Sequence, residues 1–196
     1  MVASTEESTV NVKELSIPGL FLLESPVWGD DRGFFREWFK AGDFEEAGVS
    51  FQARQANLSM STKNVVRGLH YSLADEGQAK VVTCAYGEVD DVIVDIRVGS
   101  PTFGAVEIVH LSSDGDRSVL LPEGVAHGFC VTSDVAALTY LLSSPFNASA
   151  EFEINPFDDA LHVAWTVTGD PIVSEKDRAA PSLDERRLAK ELPLFR

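Results

Sequence analysis

Two histidines stand in glycine-containing segments that could carry proton-transfer chemistry. His70 follows Arg67 and Gly68, and His127 follows a Pro-Glu-Gly turn at 122–124. The chain has only four histidines, and both segments lie beside predicted strands. An imidazole at the mouth of a sheet can accept or donate a proton near neutral pH, which suits a general base next to a carbonyl. The two segments therefore favour an enzyme.

The other groups that carbanion chemistry needs are also present. A base must remove a proton, a carboxylate must orient it, a cation must hold the developing enolate, and an acid must return a proton. Beside His70, the sequence offers Lys80, Tyr140 and Asp177 for these roles. Arg67 adds a guanidinium suited to a bidentate grip on phosphate oxygens. The set, rather than any single residue, predicts proton abstraction next to a carbonyl.

Each histidine also has a structural interpretation. His70 could be a satisfied residue at a strand edge, and His127 could be a buried histidine bonded to a carboxylate such as Asp91. His110 and His162 lie among ordinary strand residues without convergent partners. We expect these last two to be structural or surface groups, outside the candidate site.

A metal centre is not predicted. Small β-barrels that bind iron, zinc or manganese often use a His-x-His pair with a glutamate and a later histidine. Two positions after His70 stands Ser72, and two positions after His127 stands Phe129. A facial triad would need ligands from scattered segments without a supporting motif.

Composition limits the partners and the compartment. The 196 residues carry 16 basic and 31 acidic side chains, and the formal net charge of -15 repels nucleic acid and anionic lipid. Residues 1–10 lack the features of a signal peptide, and no apolar run approaches membrane-spanning length. Cys84 and Cys130 lie in apolar runs without CxxC spacing, as buried thiols do. We expect a cytoplasmic protein that binds neither nucleic acid nor membrane, and whose cations cluster locally around any phosphorylated substrate.

The elements that would position the candidate residues are mainly short strands. The clearest hairpin signal joins 80–85 to 88–97, because β-branched residues fill both arms around the Tyr86-Gly87 break. Many short strands at this spacing predict an antiparallel sandwich or barrel. The strands are predicted over 15–23, 34–39, 51–60, 80–85, 88–97, 105–111, 118–121, 127–132 and 136–142.

Helices are predicted at two places only. A short one is plausible over 41–47. A second should cover 186–192, because Ser182 and Glu185 form a capping-box pattern ahead of it and Pro193 would stop it. The length fits one domain over 13–196, preceded by a disordered or extended tail over 1–12.

Several ordered motifs resemble the nucleotide-sugar 3,5-epimerases, specifically the dTDP-4-dehydrorhamnose 3,5-epimerase family. Together they cover most of residues 15–185 at compatible spacings. The resemblance implies an all-β, cupin-like double-stranded β-helix (jelly roll) with a few short helices, one of them near the C-terminus. The motifs are Asp-Arg-Gly-Phe-Phe-Arg-Glu at 31–37, Gln55-x-Asn57-x-Ser59, Val-Arg-Gly-Leu-His-Tyr at 66–71, Gln-Ala-Lys at 78–80, Val-Asp-Ile-Arg-x-x-Ser-Pro-Thr-Phe-Gly at 94–104, Ala-His-Gly-Phe at 126–129 and Ser-Glu-Lys-Asp at 174–177.

The resemblance implies epimerisation of dTDP-4-dehydro-6-deoxy-D-glucose at C3 and C5, the carbons that flank its C4 ketone, without a metal or redox cofactor. His70 would be the base, oriented by Asp177. Lys80 and His127 would hold the enolate oxygen. Tyr140 would protonate the opposite face, since inversion requires acid and base on opposite sides of the sugar ring.

A nucleotide site is implied as well. Its cations would meet the diphosphate, which answers the problem that the negative net charge poses. The implied residues are Arg32, Arg67 and Lys176 for the diphosphate, and Glu37, Gln55 and Asn57 for the rest of the nucleotide sugar.

Two aromatic residues complete this nucleotide site. Phe35 would pack near the thymine, often across a dimer interface in this family, although simple core packing is the alternative. Phe146 stands where the family commonly has tyrosine, so that stacking on the base is kept and a hydroxyl contact is lost. Family members are typically homodimers, and the open edge strands of a jelly roll favour such pairing.

Three alternatives stay open at this stage. Related enzymes epimerise only C3 or only C5 with nearly the same catalytic set. A non-catalytic cupin could bind a sugar nucleotide, although the intact catalytic set argues against it. A 3,4-ketoisomerase would demand a different arrangement of histidines. The rhamnose-pathway resemblance of the segment 140–146 favours the double epimerase.

Overall fold

The protein, described for residues 10–196 in a computed structural model, is built mainly from short antiparallel strands. Of the predicted tail, residues 1–9 lie outside the described part, Val10 is buried and the first strand already begins at Asn11. The strands are β1 Asn11–Glu14, β2 Phe21–Glu24, β3 Val27–Asp30, β4 Gly33–Arg36, β5 Gln55–Thr62, β6 Val66–Ser72, β7 Lys80–Tyr86, β8 Glu88–Asp95, β9 Val106–Ser112, β10 Arg117–Leu121, β11 Val125–Val131, β12 Val135–Leu142 and β13 Glu151–Glu153.

Two sheets form the body of the fold. One has six strands in the order β1-β2-β10-β7-β12-β5, and the other has five in the order β13-β6-β11-β8-β9. Strands β3 and β4 form a separate two-stranded hairpin. Consecutive strands switch repeatedly between the two larger sheets, which is the connectivity of a jelly roll. The all-β fold class expected from the sequence is confirmed.

The predicted hairpin over 80–97 is wrong. Its two arms, β7 and β8, lie in different sheets: β7 pairs with β10 and β12, whereas β8 pairs with β9 and β11. Gly87, between them, has φ 72 and turns the chain from one sheet into the other. A two-residue break between β-branched arms suits such a corner as well as a hairpin, so the sequence pattern does not separate the two.

Gly87→Ala should destabilise the fold at this corner by about 2–4 kcal/mol. A Cβ there would lie 2.0 Å from the Val135 carbonyl oxygen, and the positive φ adds strain. Gly48→Ala is the matched control, because Gly48 has φ +74 with nothing within 4 Å of an added Cβ. It should cost only about 1 kcal/mol. Urea unfolding of both variants tests the difference, and equal losses would contradict the proposed clash.

Apolar side chains fill the space between the sheets and cover their outer faces. The largest cluster combines Val82 and Leu138 of the six-stranded sheet with Ile93 and Phe129 of the five-stranded sheet. A second packs the C-terminal segments on the outer face of the five-stranded sheet, and a third packs Phe44 on the outer face of the other. The members of the first cluster therefore identify which side chains point into the interior.

Three short α-helices lie outside the sheets: α1 Ala41–Glu46, α2 Glu175–Arg178 and α3 Leu183–Leu188. The predicted helix over 41–47 is confirmed as α1. The predicted capping box of Ser182 and Glu185 is present, but α3 ends at Leu188 rather than at Pro193. Lys190 adopts a left-handed φ of 61, and the chain turns so that Leu192 becomes buried. The sequence did not predict α2, because four residues are too few to show helical periodicity.

The predicted cysteine state is confirmed. Cys84 and Cys130 are free, buried thiols, and burial raises the pKa of each to about 11. Over residues 10–196, the three helices are too short to cross a bilayer.

Candidate active site

The interior face of the five-stranded sheet carries both candidate histidines. His127 of β11 stands directly opposite His70 of β6, so the two side chains share a face. Asp91 of β8 stands opposite Phe129, a member of the cluster between the sheets. This face therefore points at the other sheet.

The six-stranded sheet places a complementary set on the facing surface. Lys80 lies two positions before the interior residue Val82 on β7, so both side chains point to the same face of the sheet. Tyr140 packs against the cluster between the sheets. Tyr140 stands opposite Asn57 of β5. One interior space is thus lined by histidines from one sheet and by a lysine, a tyrosine and an amide from the other.

His70 and Asp177 form a hydrogen-bonded pair. His70 Nε2 lies 2.8 Å from Asp177 Oδ1, and the Asp177 side chain is buried while 42% of the His70 side chain is exposed. Because Nε2 is engaged, Nδ1 is the ring nitrogen available to a ligand. The predicted dyad is therefore present across 107 residues of sequence.

Helix α2 holds the Asp177 carboxylate in place. Ser174 caps the helix by accepting a hydrogen bond from the Asp177 backbone N–H at 3.0 Å, and the Gly68 N–H donates to Asp177 Oδ2 at 3.3 Å. Burial raises the pKa of the Asp177 carboxyl, but the hydrogen bond and charge of His70, with hydrogen bonds from Gly68 and Ser174, bring it below its usual value. Asp177 is thus held as a carboxylate beside the imidazole.

His127 and Asp91 form a second pair. His127 Nε2 lies 2.8 Å from Asp91 Oδ1, and both side chains are nearly or fully buried. Asp91 Oδ2 has no hydrogen-bond partner among the described residues. The pairing of His127 with Asp91 was predicted from the sequence. The structure shows in addition that this buried pair lies beside His70.

Lys80 lies close to two carboxylates. Burial lowers the pKa of its ammonium group, and the charges of Glu151 and Asp91 oppose that shift. Gln78 donates to Glu151 Oε1 at 3.4 Å. Glu151 was not predicted as a site residue, because the three-residue strand β13 has no recognisable sequence pattern. Pairing with β6 brings it to the site.

Polar groups along β5 connect to the loop after β12. Gln55 donates to Asn57 Oδ1 at 2.9 Å and accepts a hydrogen bond from the Phe146 backbone N–H at 2.9 Å. The Phe146 ring is 60% exposed. Arg67 donates through Nε to Ser61 Oγ at 3.0 Å. These residues line one edge of the interior space, where a nucleotide could lie.

Three other candidate nucleotide-binding residues lie in or directly after the β3–β4 hairpin. Arg32, at the tip of the β3–β4 hairpin, is exposed and pairs with Asp30, while Phe35 stacks on Trp28 at 5.8 Å between ring centroids. Glu37 directly follows β4. The hairpin belongs to neither of the two large sheets. Its Arg36 donates hydrogen bonds to Thr83 and Ser118 on the outer face of the six-stranded sheet, so the hairpin lies on the side of that sheet away from the histidines.

Lys176 lies in α2, next to Asp177. Its ammonium group pairs with Glu153 at 3.1 Å and its side chain is 64% exposed. To bind the diphosphate as expected, Lys176 would therefore have to contact both the diphosphate and Glu153, or replace its contact with Glu153.

The other two histidines differ in part from expectation. His110 is a surface residue, as expected, but it has a partner, since Nδ1 lies 2.9 Å from Asp90 Oδ1. His162 is not in a strand: it follows a 3-10 helix over Asp159–Leu161, with φ 51. Neither lies beside the candidate site residues along the strands.

Comparisons with known proteins bear on this site. The family model described as dTDP-4-dehydrorhamnose 3,5-epimerase matches residues 14–185. A dTDP-4-dehydrorhamnose 3-epimerase of Streptomyces niveus is 42% identical over 95% of this chain and 90% of its own length. A dTDP-4-dehydrorhamnose 3,5-epimerase of Mycolicibacterium smegmatis is 41% identical over 95% of this chain and 92% of its own.

Solved structures agree with these matches. The sugar epimerase NovW from the novobiocin gene cluster of Streptomyces spheroides superposes with a TM-score of 0.92 at 42% identity, covering 96% of this chain and 94% of its own. The epimerase RmlC of Legionella pneumophila, solved in complex with dTDP-4-keto-L-rhamnose, gives a TM-score of 0.89 at 39% identity, covering 95% and 99%.

Proposed function

The chain belongs to the dTDP-4-dehydrorhamnose 3,5-epimerase family, and we propose that it converts dTDP-4-dehydro-6-deoxy-D-glucose to dTDP-4-dehydro-L-rhamnose by inverting C3 and C5. The observation that carries the proposal is the His70–Asp177 pair, set in an interior that also holds His127, Lys80 and Tyr140. A base, an orienting carboxylate, donors for an enolate and an acid are the groups that this isomerisation uses.

His70 removes the proton. The C4 ketone acidifies the neighbouring C–H bonds, and Nδ1 of His70 takes the proton while Nε2 stays bonded to Asp177. The electron pair moves into the C4 carbonyl, which becomes an enolate. Asp177 fixes the ring orientation and stabilises the imidazolium that forms. It is the positioning residue of the pair.

Lys80 and His127 hold the developing negative charge. Both lie on interior faces, where low dielectric strengthens a hydrogen bond to an oxyanion. Asp91 keeps the His127 ring fixed at 2.8 Å. No metal or redox cofactor enters this scheme, because the proton transfers change no oxidation state overall.

Tyr140 returns a proton to the other face of the sugar. His70 belongs to the five-stranded sheet and Tyr140 to the six-stranded sheet. A sugar ring between the sheets therefore meets the base on one side and the acid on the other, as inversion requires. Tyr140 regains its proton from solvent, and His70 loses its proton to solvent.

The nucleotide would occupy the groove along β5. Gln55, Asn57 and Arg67 lie on this side, and Phe146 offers an exposed ring for stacking on the base. Lys176 would exchange part of its pairing with Glu153 for the diphosphate. The substrate is thus a dTDP-4-dehydro-6-deoxyhexose.

Epimerisation at C3 alone is the second candidate. A relative that is 42% identical is a 3-epimerase, and one that is 41% identical is a 3,5-epimerase, so identity does not separate the two. The test is NMR of the substrate with EDTA-treated protein in deuterated water, following C3 and C5 separately. Deuterium at both carbons supports the double epimerase. Deuterium at only one carbon assigns the chain to the mono-epimerases. The absence of deuterium at both carbons overturns the proposal.

A homodimer is part of the proposal, with the β3–β4 hairpin as its contact. Trp28 and Phe35 are 42% and 64% exposed, and a cavity of about 310 Å³ separates the hairpin from the outer face of the six-stranded sheet. Across that face, Leu58 and Met60 of β5 are 68% and 65% exposed. A second copy would cover these surfaces and bring Arg32, Phe35 and Glu37 to its partner's nucleotide. The cytoplasmic location stays a prediction.

Phe35→Ala should weaken this dimer by at least about tenfold and raise the KM for the substrate, because hot-spot aromatics dominate such contacts. Phe157→Ala, which truncates a 37% exposed ring outside the hairpin, is the control. Analytical ultracentrifugation and initial rates measure both effects. A monomeric wild type, or an unchanged dimer in the Phe35 variant, would contradict the hairpin contact.

A further inference from the structure

Strand β5 differs from its neighbours in the chemistry of its interior face. Apart from Tyr140, the residues of β12 on that face, such as Leu138, are apolar, whereas the corresponding face of β5 carries Gln55, Asn57, Ser59 and Ser61. β5 is also an edge strand of the six-stranded sheet. A polar row along an edge, beside an apolar core, costs burial energy unless the groups bind one another or a ligand.

Ser61 is engaged with an arginine from the other sheet. Its side chain is buried, with 7% of the residue exposed, and its Oγ accepts a hydrogen bond from Arg67 Nε at 3.0 Å. Arg67 Nη2 also donates to the Met60 carbonyl at 3.4 Å. The backbone of Arg67 lies in β6, so its side chain crosses the open edge between the sheets.

The two contacts restrict an otherwise mobile side chain. A guanidinium has five N–H donors in a rigid plane, and here two are used on the side that faces β5. The other donors remain for a ligand. Since Arg67 is itself exposed, the buried Ser61 hydroxyl is the fixed point that sets the plane of the guanidinium.

We propose that Ser61 is a positioning residue that orients Arg67 for bidentate binding of the substrate diphosphate. The inference rests on the proposed function, because it takes Arg67 as a diphosphate ligand. A preoriented fork loses less freedom on binding two phosphate oxygens than a freely rotating one does. Ser61 touches no part of the substrate and acts only through Arg67.

The first test compares binding of two probes, dTDP and thymidine, by titration calorimetry. Ser61→Ala should weaken dTDP binding by about tenfold and leave thymidine binding within about twofold, since only the diphosphate meets Arg67. In turnover, the KM should rise similarly while kcat stays within about twofold. Ser61→Thr keeps the hydroxyl on a residue suited to a strand, and should restore most of the affinity.

Ser133→Ala is the matched control for loss of a hydrogen-bonded serine. The Ser133 hydroxyl accepts from the Glu88 N–H and donates to the Val135 carbonyl, both at 2.8 Å, in the turn before β12. Its removal should change stability without changing the ratio of dTDP to thymidine affinity. A similar loss of dTDP affinity in Ser133→Ala would overturn the specific role of Ser61.

A double-mutant cycle with Arg67→Ala gives the decisive result. If Ser61 acts through Arg67, adding Ser61→Ala to Arg67→Ala changes dTDP affinity by less than about twofold. A further tenfold loss in that background, or an equal loss for thymidine, would overturn the inference. Wild-type protein that binds dTDP but exchanges no deuterium would overturn the epimerase proposal instead, and the cycle would still report on Ser61.

Discussion

Replacing His70 with alanine should lower turnover by about 10²–10⁴-fold, the usual contribution of a general base, while dTDP affinity stays within about threefold. In the proposed mechanism the imidazole takes the C–H proton, whereas the diphosphate and the thymine are bound by residues of β5, β6 and the loop after β12. Deuterium exchange at both C3 and C5 should fall with turnover, because no carbanion forms without a base.

The experiment needs a variant that keeps Asp177 satisfied. His70→Ala leaves a buried carboxylate without the partner that now lies at 2.8 Å, which could cost stability. His70→Gln offers an amide N–H to the carboxylate but cannot act as a base. His70→Gln should fold like the wild type and be as inactive as His70→Ala.

His110→Ala is the matched control. His110 also forms a histidine–aspartate pair, at 2.9 Å from Asp90, but on the surface of β9. Its loss should leave turnover and exchange unchanged. Measurable exchange by His70→Gln at wild-type rates, or an inactive His110→Ala, would contradict the assignment of the base.

Much of this site follows from sequence because strands place residues by simple alternation. In the observed register of β6 and β11, His70 and His127 stand opposite each other, and both come from segments whose residue types already suggested chemistry. The partner Asp177 is different. It reaches His70 across 107 residues through the four-residue helix α2, which no periodicity reveals. The sequence offered Asp177 as a candidate carboxylate, but only the resemblance to the family assigned it to His70.

Some local sequence patterns fit two different structures, and the sequence alone does not choose between them. A break at Gly87 fits a hairpin, but the partners of β7 and β8 were decided by packing between two sheets. In the same way, an exposed aromatic such as Phe35 has no local signal for the surface it meets. Phe35 lies on a hairpin that is separate from both large sheets, and its role at a dimer contact stays a proposal.

The arrangement also explains how one pocket can serve two carbons. The C3 and C5 hydrogens flank the same ketone, so one enolate oxygen position serves both steps. In the proposed mechanism, Lys80 and His127 hold this oxygen in both steps, while the sugar ring turns to present each carbon to His70. If the same base and the same acid on facing sheets serve both steps, single and double inversion differ only in how the sugar ring moves in the pocket.

Tyr140→Phe should separate proton exchange from inversion. The phenyl ring keeps the packing against the core between the sheets but has no proton to give. His70 can still form the enolate, and the 42% exposure of its side chain allows its captured proton to exchange with solvent. Deuterium should therefore enter C3 and C5 on the original face, while net epimerisation falls by about 10²–10³-fold.

NMR of one reaction in deuterated water measures both quantities, as deuterium content and as the ratio of the two stereoisomers. Tyr86→Phe is the control, because Tyr86 ends β7 with 61% of its surface exposed, and both signals should match the wild type. A parallel loss of exchange and inversion in Tyr140→Phe would argue that the tyrosine supports enolate formation rather than reprotonation. Exchange that outlasts inversion would place the acid on the sheet that faces His70, because the base alone can return a proton only to the face it took it from.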